Sequence, residues 1–500
     1  MSCFLGIDVG TSSVKSMIME PDGTILHIAQ RQYDAICPEP NWVEISVKDL
    51  WDSTCETLRE LTSKYPQRVD EIRAISFSGQ MHGMILLDEK DQPLWNAINC
   101  LDSRAKEESE EIEGLSVEKG YRGALLNHVT TGFFVCFMYW MKRHHPDVLE
   151  KARKAMVIKD YIRYKICGEV GSDYSDAAST LIFDQVKREW LWDMMEDLQL
   201  DRELFAKEIH NAHEIAGRVT RACAAETGLR EGTLVCYGGG DTLMNHIGNG
   251  LVRNDGRILS TIGSSSHVST GLNIPLSDPK GCGYTYCHAL PEKWMMLAGG
   301  PNGGIVMKWL KNNVLGRQYS FDEMSKIAAT APAGSNGVMC VPYILGVTYP
   351  NDPNAKSVYV GMGMVHGQPE LIRSTMEGLV YILRKSLMGL RDLGIDTKTI
   401  IATGGGSLDP VLLRIQADMY NLPVYVNAGK EISCMGAAIS AAVGSGYYRS
   451  YEEACDAIVH FREEWIEPNP QNAAIYAENA EKFDLIYMQN RQFFEARKNI

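Results

Sequence analysis

The chain has no G-x-x-x-x-G-K-[ST] run, so any phosphate it handles is held without a P-loop. It has no C-x₂-C pair either. The closest of its 13 cysteines, Cys282 and Cys287, have four residues between them, which excludes a compact thiolate metal cluster. Scattered thiols in a chain this long read as reduced and mostly buried, as in a cytosolic protein, rather than as a disulfide scaffold. No basic stripe is visible, and Asp plus Glu outnumber Lys plus Arg 63 to 49 for a formal charge of −14. That excludes a nucleic-acid partner and requires any anionic ligand to be held locally, by backbone dipoles and metal. The most apolar late segment, 432–443, is rich in Ala and Ser and too short to cross a bilayer. Asp8 interrupts the N-terminal apolar run too early for a signal peptide. No membrane partner is expected, and the expected location is cytoplasmic.

What is present points to an α/β protein. At 500 residues the chain exceeds one ordinary core, and strand-like and helix-like patterns alternate throughout. The first informative stretch is Phe4-Leu5-Gly6-Ile7 followed by Asp8-Val9-Gly10-Thr11-Ser12-Ser13-Val14-Lys15. An acid at the end of a buried strand, with a small-residue turn after it, suits a metal and a phosphate chain. The glycine admits close backbone approach, the hydroxyls and amides donate, and a carboxylate can hold Mg²⁺ through water. The alternative is an ordinary strand and turn with no ligand.

Three glycine-rich loops add to this. Gly238-Gly239-Gly240-Asp241 ends the apolar run 234–237, and it reads either as a close-approach loop carrying a base or as a tight turn with Asp241 capping a helix from Thr242. Gly404-Gly405-Gly406-Ser407 ends a second run, with Ser407 or Asp409 as the helix cap and positions 408, 411, 412, 415 and 419 on one apolar face. Gly79-Gln80-Met81-His82-Gly83 supplies an amide, a flexible apolar side chain and an imidazole, which suits a small polyol pocket or a merely hydrogen-bonded histidine. The 299–304 segment is a further close-approach loop with no role assigned. Val9-Gly10-Thr11-Ser12-Ser13 is echoed by Ile262-Gly263-Ser264-Ser265-Ser266, with Thr261 where the first copy has Asp8. Two similar halves would then meet between 241 and 259, with 249–256 as the crossing. The tail after Pro468 reads as a packing helix.

The order of these motifs resembles the FGGY family of carbohydrate kinases, and within it the xylulokinase branch, from residue 4 to about 450. The match also takes in Leu101-Asp102-Ser103-Arg104, Lys159-Asp160-Tyr161, Ser172-Asp173-Tyr174-Ser175-Asp176-Ala177-Ala178 and Gln416-Ala417-Asp418. The resemblance implies the actin/Hsp70/sugar-kinase (ribonuclease H-like) fold, two similar domains at 1–248 and 249–500 with ATP and sugar in the cleft between them. It implies Asp241 as general base and a metal contact, and Asp8 as Mg²⁺ ligand through water. Gly10, Thr11, Ser12 and Lys15 would face the phosphates, as would Gly263 and Ser264, while Gly405, Gly406 and Ser407 would hold adenosine. Gln80, Met81, His82, Asp102 and Thr242 would contact the sugar. ATP and a small sugar are the implied partners, with a homodimer as the family's frequent assembly.

Two departures bear on the substrate. Thr242 stands where the branch reads Asn after GGGD, and 345–350 replaces an S-G-E-R-T-P segment without its charged pair. The expected acceptor is a ketopentose such as D-xylulose. The alternatives are ribulose, a tetritol or a hexulose, or a non-kinase ATPase or regulator on the same fold.

Overall fold

The computed structural model describes residues 2–281, 283–347 and 352–496. Two mixed sheets organise them. The first comprises β1 (Cys3–Val9), β2 (Ser13–Met19), β3 (Ile25–Gln32), β4 (Ile72–Gly79), β5 (Ile215–Arg218), β6 (Leu234–Cys236) and the short β7 (Gly239–Gly240). Its order is β5-β6-β4-β1-β2-β3, with β7 against β4. The second comprises β8 (Arg257–Ile262), β9 (Ser266–Leu272), β10 (Gly283–Cys287), β11 (Trp294–Gly300), β12 (Thr399–Thr403) and β13 (Val424–Val426), in the order β10-β11-β9-β8-β12-β13. In each, a hairpin begins the sheet and its first strand pairs in parallel with a later one, β1 with β4 and β8 with β12. The five-residue echo in the sequence therefore marks two equivalent hairpins.

Period-two alternation decides which side chains of β1 meet which half of the molecule. Cys3, Leu5, Ile7 and Val9 enter a core with Leu50, Leu58 and Leu61 of helix α1 (Val47–Lys64). Phe4 belongs to the other, larger core, and Gly6 and Asp8 share its face. Four more helices matter to the site: α2 (Ile158–Cys167), α3 (Tyr174–Ser179), α4 (Asp241–Gly248) and α5 (Gln368–Asp392). Then come α6 (Pro410–Tyr420), α7 (Ile432–Gly444) and α8 (Pro470–Ala496), the expected tail helix, which buries Tyr476, Phe483, Tyr487 and Phe494.

The apolar segment noted in the sequence is α7, and it covers the Gly6 face of the first sheet although it follows the second sheet in the chain. A Cβ built on Gly6 would lie 2.1 Å from the Cys434 carbonyl oxygen. The same helix crosses α4 at backbone contact: a Cβ on Gly436 would lie 1.9 Å from the Met244 oxygen, and one on Gly248 would lie 2.1 Å from the Ile432 oxygen. Ala437, Ala438, Ala441 and Ala442 are fully buried around this crossing. Small residues are thus what the packing requires, and no helix of the described residues is long and apolar enough to cross a membrane.

Alanine is the better helix former by about 1 kcal/mol. At Gly436 that gain is outweighed by overlap with backbone that cannot move aside. Gly436→Ala is expected to lower stability by about 1–3 kcal/mol, read as a fall in the thermal midpoint, and Gly436→Val is expected to yield no folded protein.

Candidate active site

The ends of β1 and β4 meet the start of α4, and the ends of β8 and β12 meet at the second turn. On the first sheet, Gly10 N–H donates to the Ser13 carbonyl at 2.9 Å and closes the β1–β2 turn, leaving Thr11 and Ser12 exposed at its tip. The Gly10 carbonyl accepts from the Tyr33 hydroxyl and, at 2.9 Å, from Gln80 Nε2. On the second sheet, Gly263 N–H donates to the Ser265 carbonyl at 2.9 Å, and Ser264 is exposed at the corresponding tip. The unassigned glycine loop at 299–304 finds its place here, since Gly304 N–H donates to the Gly263 carbonyl at 2.7 Å.

Beside this second turn is a cavity of about 670 Å³, a size suited to a nucleoside. Gly263, Ser264, Gly304, Gly405 and Gly406 supply backbone to its wall, and Ile305, Met376 and Leu408 supply apolar surface. Gly404 has φ 75°, and a Cβ there would lie 2.6 Å from the Ile262 oxygen, so the loop bends flat against β8. Two expectations are corrected. Ser407 is not part of the cavity wall, because its hydroxyl donates to the Gly404 carbonyl at 2.8 Å and is spent closing the loop. Leu408 is 75% exposed on the cavity rim rather than packed on the apolar face of α6, which Leu412, Ile415 and Met419 form. Asp409 is the cap, accepting from the amides of Val411 and Leu412 at 2.8 and 3.1 Å.

Two carboxylates stand where the sheets meet. Asp8 accepts from the Ser78 hydroxyl at 2.6 Å, across the parallel β1–β4 register. Burial pushes its pKa up, against the Ser78 bond and the Lys15 charge. Asp241 is the first residue of α4 behind the cap Gly240, so it is not the cap itself. Its Oδ1 accepts from Thr242 N at 2.6 Å and from the Thr242 hydroxyl at 3.2 Å. Burial, with the Asp8 charge second, pushes Asp241 up to about 6 against those two bonds. Two buried acids whose burial raises both pKa values, with the Asp8 charge adding to the rise at Asp241, are what a divalent cation relieves, so the donor set fits Mg²⁺.

Lys15 does not stand free toward the phosphate turn. Its ammonium pairs with Glu431 at 2.6 Å, at the start of α7. Burial acts to lower the Lys15 pKa, but Glu431 and then Asp8 raise it, and the net shift is upward. Asp102 is likewise committed. Its two oxygens accept from Val43 N, Arg104 N, Arg104 Nε and an Arg104 terminal nitrogen at 2.6–2.9 Å, and Arg104 lies 3.9 Å over Trp42. A carboxylate with four donors has little left for a ligand, so Asp102 anchors its own loop. That loop carries Cys100, whose thiol is pushed to about 12 by burial and then by the Asp241 charge.

On the acceptor side, His82 sits at φ 72° with Nδ1 2.9 Å from the Ser179 carbonyl. A carbonyl only accepts, so Nδ1 carries the proton and Nε2 is an acceptor. Burial lowers the His82 pKa to about 4, and the ring is neutral near pH 7. Phe133 and Tyr286 lie 4.3 and 5.8 Å from it, ring centre to ring centre, and Tyr284 stacks on Tyr286. Met81 fills the space against Gly240. Gln80 is buried and bridges to the phosphate turn. The aromatic wall, like Ser78, Glu431 and Gly304, carried no local sequence signal of a site except for the glycine loop.

Two ribonuclease H-like sheets with a glycine-lined cavity, two like turns and two buried carboxylates are the arrangement of a sugar kinase of the actin/Hsp70-like fold. Models of the FGGY family of carbohydrate kinases match residues 3–248 with the family's N-terminal domain and residues 259–445 with its C-terminal domain. The chain belongs to that family. It is 29% identical to a xylulose kinase of Bacillus subtilis over 507 aligned residues, covering 100% of this chain and 98% of the relative. It is 27% identical to a gluconokinase of the same organism, covering 91% and 90%. The crystal structure of a xylulose kinase from Rhodospirillum rubrum superposes with a TM-score of 0.90 at 25% identity, covering 99% of this chain and 100% of that one.

The raised Asp241 pKa has a stability consequence. Between its ordinary value of 3.8 and about 6 the folded state holds the extra proton, so this residue lowers stability as pH rises through that window. Asp241→Asn keeps the acceptor for Thr242 N and removes the charge. In metal-free buffer it is expected to be more stable than the parent at pH 7, by about 1–3 kcal/mol. The gain should vanish below pH 4, as read from thermal melts across pH.

Proposed function

We propose that this kinase transfers the ATP γ-phosphate to a hydroxyl of an uncharged ketose, most simply D-xylulose, with Asp241 as general base. The reading is carried by one observation: among the described residues no unpaired cation stands beside His82 or Asp241, whose charged neighbour is the acid Asp8. Met81, Phe133 and Tyr286 lie beside a neutral imidazole, Tyr284 stacks on Tyr286, and Cys100 and Thr242 lie near Asp241. The cation near Tyr284, Arg122, is paired with Glu113. An aldonate such as gluconate carries a carboxylate that calls for an unpaired cation or several donors, and none is placed there among the described residues. A ketose needs acceptors and donors of the His82 and Thr242 kind. Positions 348–351, part of the segment that departs from the xylulokinase branch, lie outside the described residues.

The acceptor hydroxyl gives its proton to Asp241, whose Oδ2 makes no hydrogen bond among the described residues. As the new O–P bond forms, the bond to the β-phosphate oxygen breaks and ADP leaves. A carboxylate with pKa near 6 is ionised at neutral pH yet basic enough to assist, which is worth about 10²–10⁴-fold. Gly10, Thr11 and Ser12 of one turn and Gly263 and Ser264 of the other hold the phosphates, with Lys15 paired to Glu431. Gly405 and Gly406 support the adenosine. Bound Mg²⁺ supplies charge neutralisation on the phosphates, and Asp8, through water, and Asp241 are the residues that would hold it. The remainder of the catalysis is positioning along an in-line path.

ADP release with Mg²⁺-ATP across pentuloses, hexuloses, short polyols and D-gluconate tests this. D-Xylulose or another ketose is expected to respond above a no-sugar blank, and Asp241→Ala to lower kcat by about 10²–10⁴ with ATP affinity within a few-fold. Strong turnover of gluconate with every ketose at the blank would overturn the ketose reading.

A further inference from the structure

The segment that delivers Asp241 is held at two points by one buried carboxylate. Asp173 caps α3, accepting on Oδ1 from Ser175 N at 2.8 Å, from Asp176 N at 3.3 Å and from the Ser175 hydroxyl. Its Oδ2 lies 3.0 Å from Lys159 Nζ of α2. Each of these two partners reaches the glycine turn. Lys159 donates to the Tyr237 carbonyl at 3.1 Å, just before Gly238. Ser175 Oγ accepts from Gly240 N at 2.9 Å, just before Asp241. Between the two anchors Gly238 adopts φ 77°, where a Cβ would lie 2.5 Å from the Phe77 oxygen. Asp173, Lys159 and Ser175 are each fully buried, so water does not compete for these bonds.

A run of three glycines has no side chains with which to fix its own path and loses much backbone entropy on ordering. Its conformation has to be imposed from outside, by the pairing of β7 with β4, by Gly238 N–H donating to the Ala212 carbonyl at 2.9 Å, and by these two side-chain hydrogen bonds. The last of them sits one residue from Asp241. Resting on the reading of Asp241 as base, we propose that Ser175, oriented by Asp173, is a positioning residue that sets the Asp241 carboxylate against the acceptor hydroxyl, while Lys159 fixes the other end of the turn. Ser175 touches no substrate, and its hydroxyl proton is directed to Asp173 so that its lone pair meets Gly240 N–H.

The test is Ser175→Ala in the full-length enzyme. Its expected result is a kcat lower by about 10- to 100-fold, KM for ATP within twofold, and a retained cooperative melt. The same substitution in an Asp241→Asn background is expected to change the residual rate by less than twofold, because the group being positioned is already gone. A folded Ser175→Ala enzyme with kcat within twofold of the parent would overturn the proposal. So would an equal loss in both backgrounds, which marks a general structural effect. Should Ser175→Ala fail to fold, Ser175→Cys fills the same space with a weak acceptor and is read in the same way. Full activity in Asp241→Asn alone would instead remove the base reading, independently of what Ser175 does.

Discussion

Backbone contact between α4 and α7 is the constraint on which the rest depends. One helix begins with Asp241, and the other lies across the strand that carries Asp8 next to its last residue. Their separation is set by carbonyl oxygens meeting glycine Cα atoms, which is the shortest distance two helices can reach and leaves no slack to adjust. The spacing of the two acids follows from that contact. The cost is electrostatic, since the Asp8 charge adds to burial in raising the Asp241 pKa. Burial raises Asp8 as well; Lys15 and Ser78 act against that rise and Glu431 adds to it, whereas Asp241 has only its Thr242 bonds.

Motif order made much of this legible. β1, the two hairpins and the glycine turns are visible because buried strands give unbroken apolar runs and close approach demands glycine at fixed positions. The echo of residues 9–13 at 262–266 corresponds to equivalent hairpins in two sheets of like order. Asp241 as helix cap was the natural local reading, and it fails because Gly240, backed by Met81 and Ser175, takes that place.

What could not be read was partnership between distant residues. Nothing near Lys15 in sequence announces Glu431, 416 positions later. Asp102 looked available until Arg104 and the Val43 amide saturated it, and that arrangement depends on a loop closing between Trp42 and Trp140. Leu408 matched a helical apolar stripe, but the helix starts two residues later, at Pro410, and the side chain lies on the nucleoside cavity instead. The aromatic wall draws Phe133 from one half and Tyr284 and Tyr286 from the other, a juxtaposition that no local pattern encodes.

The position of α7 in the chain has a bearing on synthesis. The first sheet is complete once residue 240 has emerged, but the helix that covers Phe4, Gly6 and Asp8 ends at Gly444. At roughly 5–20 residues per second, translation leaves that face bare for about 10–40 seconds. The first half of the chain therefore leaves the ribosome with a face, Phe4 among it, that only its own C-terminal half can close.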